Sequence, residues 1–261
     1  MNRLDPIIAA TREQVAQRRG ATPLPDLDLA VARRAAAGDV RSFAAAIERS
    51  GLSLIAEHKR RSPSAGPIRE DLALENVVRA YERGGAAALS ILTEGPSFGG
   101  SLDDLRAARR VSTLPLLCKD FIVDPYQVHE ASAAGADAIL LIVAALSAAE
   151  LSALHSEAIG LGLSALVEVH DEPEADVAIA AGAEIIGINN RDLKTLEVDT
   201  RRTFELLSRV AGHALTVAES GFSRPEQLDE LADAGVDGVL IGEALMRSAD
   251  VEAAARALTM R

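Results

Sequence analysis

The chain has no tryptophan, and aromatic residues make up only 3% of its 261 positions. Its core must therefore be assembled from Ala, Leu, Val and Ile, and a hydrophobic share of 48% is ample for that. Cysteine occurs once, as Cys118, which excludes an intramolecular disulfide and fits a reducing compartment. Basic residues are outnumbered, 27 against 39 acidic, for a formal charge of -12. That balance argues against a general nucleic-acid or membrane-surface binder and leaves room only for a local basic pocket. No apolar run is long enough to span a bilayer; "AILLIVAAL" is short and reads as a buried strand running toward a helix. The opening "MNRLDPIIAATREQVAQRRG" lacks the apolar stretch of a signal peptide. These absences predict a cytoplasmic protein without nucleic-acid or membrane partners. The length allows one large α/β domain or two ordinary ones.

Short apolar runs recur along the chain: "LSLIAE", "AALSIL", "LPLLCK", "DAILLIV", "LSALVEV", "EIIGIN", "ALTVAE" and "DGVLIG". Most lack polar alternation, so both faces are expected to be covered, as in a parallel sheet. Between them lie helical segments such as "EDLALENVVRAYERGG", "SLDDLRAARRV" and "SRPEQLDELADAG". In the last, Ser223 is a candidate cap and Pro225 suits a first turn. Eight strand–helix units at roughly even spacing are the pattern of a single (β/α)8 TIM barrel. An open doubly wound sheet is the alternative, and no early GxGxxG supports it. Residues 1–50 precede the first strand and read as helices ("LDPIIAATREQVAQRR", "DVRSFAAAIERSG") joined by an exposed linker, "ATPLPDLD". They are expected to pack on the bottom or side of a barrel formed by residues 51–261, as one structural unit.

The first strand ends in charge: "LIAEHKRRSPSAG". Side chains alternate along a strand, so Glu57 and Lys59 point the same way. Either both are solvated at a strand end, or both reach into a polar site at the mouth of the fold. In a barrel, active sites lie at the C-terminal ends of the strands. There the sequence places Glu57, Lys59, Lys119, Glu168, Asn189 with Asn190 and Arg191, then Glu219, Ser220 and Gly242. So many polar groups converging on one surface would be costly without partners or a ligand. Gly221 and Gly242, after the last two strands, suit a backbone phosphate site, though either could simply make a turn.

At these residues the chain resembles the indole-3-glycerol phosphate synthase family. The resemblance runs from the N-terminal helix to the last strand, through "IAEHKRRSPSAG", "SILTEGPSFGGSLDDL", "LLCKDFIVDPYQVHEA", "ALVEVHDE", "IGINNRDLKTLEVD", "VAESGF" and "LIGEALM". It implies a single (β/α)8 barrel with an additional N-terminal helical segment. It implies a lyase of tryptophan biosynthesis that closes the ring of 1-(2-carboxyphenylamino)-1-deoxyribulose 5-phosphate, releasing CO2 and water. The sugar phosphate is then the partner, no metal or organic cofactor takes part, and a monomer is expected. By resemblance, Lys119 is the general acid and Glu168 the acid/base of dehydration. Lys59 lies near the substrate's charged groups and shares in proton transfer, and Glu57 orients the lysines. Asn189, Arg191, Glu219 and Ser220 bind or support the substrate. Lys59, Ser220, Gly221, Gly242 and the Glu243 backbone take the phosphate.

Phe98 and Phe121 are candidates for the wall against the substrate's aromatic ring, with ordinary core filling as the other reading. "RRSPSAG" reads as a mobile loop over the pocket. Lysines packed together should have lowered pKa values, with Glu57 opposing the shift. His58 and Cys118 should face the helices, His58 as a hydrogen-bonded structural residue. His129, His155, His170 and His213 read as surface or helix residues. Glu243 must turn its carboxylate away from a phosphate. Two rival readings are sugar-phosphate isomerisation on the same fold and a barrel that has lost catalysis. The Glu57–Lys59 pair disfavours the first, and the intact Lys59, Lys119 and Glu168 set the second.

Overall fold

A computed structural model describes residues 4–259. Eight parallel strands close into a barrel in chain order. They are β1 (Ser53–His58), β2 (Ala88–Leu92), β3 (Leu116–Lys119), β4 (Ala138–Ile142), β5 (Ser164–Val169), β6 (Ile185–Asn189), β7 (Leu215–Glu219) and β8 (Gly238–Ile241). β1 closes the ring by pairing Ser53 with Gly238 on one side and Glu57 with Ser90 on the other. Their apolar, non-alternating sequences are explained by burial on both faces. One row packs inside the barrel, including Ile55, Ala88, Leu117, Leu166 and Val217. The other row, including Leu54, Leu89, Cys118 and Ile139, packs beneath the helices. Cys118 and His58 fall in the outward row, as expected from alternation.

Three helices precede β1: α1 (Leu4–Ala21), α2 (Leu24–Ala36) and α3 (Phe43–Ile47). The Ser42 hydroxyl caps α3 by accepting from the Ala45 N–H at 3.1 Å. Phe43 and Ile47 are fully buried in the interior cluster and plug the bottom of the barrel. Helix α2 is clamped to the same end by Arg34, whose guanidinium meets Asp137 just before β4. Asp137 also accepts from the Leu116 and Arg41 N–H groups and pairs with Arg109.

Three expectations are corrected. "ATPLPDLD" is not a linker: α2 begins at Leu24, because Pro25 sits in its first turn, where its missing N–H is harmless. The N-terminal helices are not confined to the bottom and side: Leu4 and Ile7 of α1 reach the opposite end, where the strands terminate. Tyr126 fixes that path, its hydroxyl donating to the Arg18 and Thr22 carbonyls at 3.2 and 2.9 Å. Ser223 does not cap the helix Pro225–Ala234; the Gln227 side chain instead accepts from the Ser223 and Arg224 N–H groups.

Candidate active site

The inward rows of the strands run upward into polar residues. Glu57 lies two positions beyond Ile55, Lys119 two beyond Leu117, Glu168 two beyond Leu166 and Glu219 two beyond Val217, so all four project into the mouth. There they border a cavity of about 660 Å³. Every site residue expected from the sequence borders it: Glu57, Lys59, Lys119 and Glu168; Asn189, Arg191 and Glu219; Ser220, Gly221, Gly242 and Glu243; Phe98 and Phe121. Leu4 and Ile7 add apolar wall that the sequence did not announce.

Lys119 is the hub. Its Nζ stands 2.5 Å from Glu219 Oε2 and 3.3 Å from Glu168 Oε2. Burial works to lower its pKa, but Glu219, Glu168 and Glu57 together raise it above the usual lysine value. The expected lowering is thus reversed, because carboxylates rather than lysines surround it. Glu57 is 3% exposed. Its Oε1 pairs with Lys59 Nζ at 2.9 Å, and its Oε2 accepts from the Ser90 hydroxyl at 3.2 Å. Burial raises its pKa, yet Lys59, Lys119 and that hydroxyl outweigh burial and leave it below the usual range.

The two carboxylates flanking Lys119 diverge. Burial pushes Glu168 up, but Lys119, His170 and a hydrogen bond from Asn189 pull it well below the ordinary value. Glu219 is pushed up to about 7, by burial first and by its carboxylate neighbours, despite Lys119. Its Oε1 is buried without a hydrogen-bond partner among the described residues. It lies over Gly187, where a Cβ would collide with that oxygen.

The far wall is built from turns. Ser220 and Gly221 both have positive φ, 62° and 95°. The Asn190 amide secures this turn by donating to the Glu219 and Ser220 carbonyls, each at 3.0 Å. The Arg191 N–H donates to Asn189 Oδ1 at 3.0 Å, and its guanidinium reaches the Leu196 carbonyl. Glu243 borders the cavity with its carboxylate held 2.9 Å from Arg247 Nε, one turn along its own helix, and Arg247 borders the cavity as well. "RRSPSAG" forms a small hairpin, Arg61–Ser62 against Gly66–Pro67. Arg60 anchors it by a bidentate pair with Asp104 at 2.7 Å, and Arg61 reaches the Pro96 carbonyl at 2.9 Å.

Two histidines depart from expectation. His58 is buried, but its Nε2 has no hydrogen-bond partner among the described residues. Burial, with Arg60 nearby, lowers its pKa to about 4, so it stays neutral. His170 is neither a surface nor a helix residue. It directly follows β5, two residues beyond Glu168, with Nε2 3.3 Å from Glu168 Oε1 and Nδ1 2.9 Å from Glu174 Oε2. The signal was present: Glu168 and His170 stand two apart, the spacing that paired Glu57 with Lys59.

A closed parallel barrel whose mouth gathers lysines, carboxylates and glycine turns defines a (β/α)8-barrel enzyme. The model of the family described as "Indole-3-glycerol phosphate synthase" matches residues 4–258. The chain belongs to that family, the decarboxylating lyases that form indole-3-glycerol phosphate in tryptophan biosynthesis. It is 48% identical to the indole-3-glycerol phosphate synthase of a Nocardioides species, over 99% of this chain and 98% of that one. It is 51% identical to "Indole-3-glycerol phosphate synthase 2" of Streptomyces coelicolor, over 83% of this chain and 84% of that one. Among solved structures, 3-hexulose-6-phosphate synthase from Salmonella typhimurium superposes with a TM-score of 0.64 at 16% identity, covering 79% of this chain and 96% of that one. A mutant tryptophan synthase α-subunit from Pyrococcus furiosus gives 0.61 at 18%, covering 79% and 97%. At such identities these two likenesses speak for the fold alone.

Proposed function

We propose that the mouth divides the family's reaction among its residues as follows. The substrate phosphate lies on the backbone N–H groups of Ser220, Gly221 and Glu243, beside Gly242 and within reach of Lys59. The aromatic ring lies against Phe98, Phe121, Leu4 and Ile7, with Asn189 and Arg191 steering the chain between. Lys119 gives its proton to the ketone oxygen as the ring carbon forms the new bond. A strongly held ammonium can still do this, because the alkoxide forming there is a stronger base than any amine. CO2 then leaves, and its bonding electrons restore the aromatic ring. In dehydration the hydroxyl takes a second proton, from the Lys59 ammonium, and departs as water, while Glu168 takes the proton that the resulting cation sheds. A carboxylate held anionic suffices, since that cation is a strong acid. Glu57 keeps Lys59 in place.

One observation carries this reading: the Lys119 ammonium is centred in the cavity between Glu219 at 2.5 Å and Glu168 at 3.3 Å. All these groups come from one chain, which supports action as a monomer, and the single cysteine is a buried free thiol, which suits the cytoplasm.

Lys119→Met tests the assignment. The stem is kept and the proton lost, so turnover should fall by roughly three or more orders of magnitude. Product should still bind, through phosphate and ring, in calorimetry. Loss of product binding together with loss of folding would mark Lys119 as structural and remove the first step.

A further inference from the structure

We infer that His170 is a positioning residue for Glu168, a second cation that holds this carboxylate in place while Lys119 gives up its proton. The inference rests on the proposed acid/base role of Glu168. His170 does not border the cavity, so it acts through Glu168 and not on substrate.

The geometry is a carboxylate held from two sides. Lys119 Nζ faces Oε2 and His170 Nε2 faces Oε1, each at 3.3 Å. The His170 contact is ionic and does not meet hydrogen-bond geometry, so Nε2 is otherwise unpartnered among the described residues. Behind it, Glu174 Oε2 accepts from the His170 backbone N–H at 2.8 Å and meets Nδ1 at 2.9 Å. Glu174 is fixed in turn, because its own N–H donates to Asp171 Oδ1 at 2.9 Å where the helix Glu172–Ala180 begins. Turning the imidazole would cost its Nδ1 contact with Glu174 and its Nε2 contact with Glu168. Burial lowers its pKa, but Glu168 and Glu174 outweigh burial and raise it to about 10, so the ring is an imidazolium at neutral pH.

The need for a second cation follows from the first step. Once Lys119 has passed its proton to the ketone, its nitrogen is neutral. Glu168 is 2% exposed and has Glu219 as a carboxylate neighbour. Without another positive charge its proton affinity would climb sharply. It would then be protonated before dehydration calls on it as a base. The groups facing this position are Lys119 from β3, Asn189 from β6, Glu219 from β7 and, through His170, Glu174 from the helix after β5. Of these, His170 alone is a cation that keeps its charge through ring closure.

The test compares His170→Gln, Glu174→Gln and Glu168→Gln by steady-state kinetics from about pH 5 to about pH 9, with thermal midpoints recorded. For His170→Gln, kcat should fall roughly tenfold with KM little changed, as for a misplaced rather than missing group. Removing the cation raises the Glu168 pKa, so the acidic limb of the kcat profile should move to higher pH than in the parent enzyme. Glu174→Gln should shift that limb in the same direction by less, and it decides the matter if His170→Gln does not fold. An unmoved limb in whichever of these variants folds overturns the inference, including the case where stability and turnover fall together. Inactive Glu168→Gln alongside an unaffected His170→Gln overturns it while the Glu168 assignment stands. Near-normal turnover in Glu168→Gln overturns the assignment itself.

Discussion

A methyl group on Gly242 would stand 2.5 Å from Oε1 of Glu57 and 3.0 Å from its Cβ. The turn leaving β8 and the carboxylate near the end of β1 therefore share one space. Substitution at Gly242 does not report on phosphate binding alone. Gly242→Ala should displace Glu57 and, through the 2.9 Å ion pair, Lys59. We expect kcat to fall roughly ten- to a hundredfold, and a dephosphorylated substrate analogue to bind more weakly as well. Steady-state kinetics with analogue titration would check this. Weakening confined to the phosphorylated ligand, at full kcat, would show that the two residues are not coupled.

Glu219 gives the protein a pH-dependent stability. Its pKa of about 7 lies above the ordinary carboxylate value of 4.5. Between these values the native state holds more protons than the unfolded chain, so stability falls as pH rises. The contribution is complete below about 4.5 and is lost as pH passes through about 7. Lys119, Glu168 and Glu219 titrate as a group, so the loss is spread over that range. Glu219→Gln should raise the thermal midpoint relative to the parent at pH above about 7, with the gain fading toward 4.5. Calorimetry across that range measures it, and a pH-independent difference would contradict the prediction.

Ile7 links the N-terminal helix to the mouth. It is only half-buried, so Ile7→Ser should leave the thermal midpoint nearly unchanged. Losing roughly 1 kcal/mol of apolar contact with the substrate ring corresponds to roughly a fivefold rise in KM. Michaelis constants for the full-length variant would settle the point, and an unchanged KM would place the ring elsewhere.

The barrel could be read from sequence because every strand is an apolar run covered on both faces, and because alternation carries each inward row up to its polar end. That rule brought Glu57, Lys119, Glu168 and Glu219 to one mouth without any coordinates. The spacing in "EVH" sets His170 beside Glu168, but His170 meets that carboxylate from outside the cavity, which alternation alone does not show. Helix α2 was obscured by Pro23 and Pro25, which punctuate loops but also suit the start of a helix. The position of Leu4 and Ile7 has no local signal, since periodicity says which face of a helix is buried and not against what. The reversed shift at Lys119 is likewise a tertiary property. Its sign depends on three carboxylates contributed by β1, β5 and β7.

Phe43 and Ile47 stopper the lower end of the barrel. Among the described residues, the chamber is thus a vessel closed at its lower end and open at the mouth. On the proposed reading, reactant enters, and carbon dioxide, water and product leave, through the opening between α1, the Ser62–Ser64 hairpin tip and the turns after β7 and β8. The two small molecules form while the larger one still fills that passage. On the proposed mechanism, carbon dioxide and water therefore have to pass a bound indole to reach solvent.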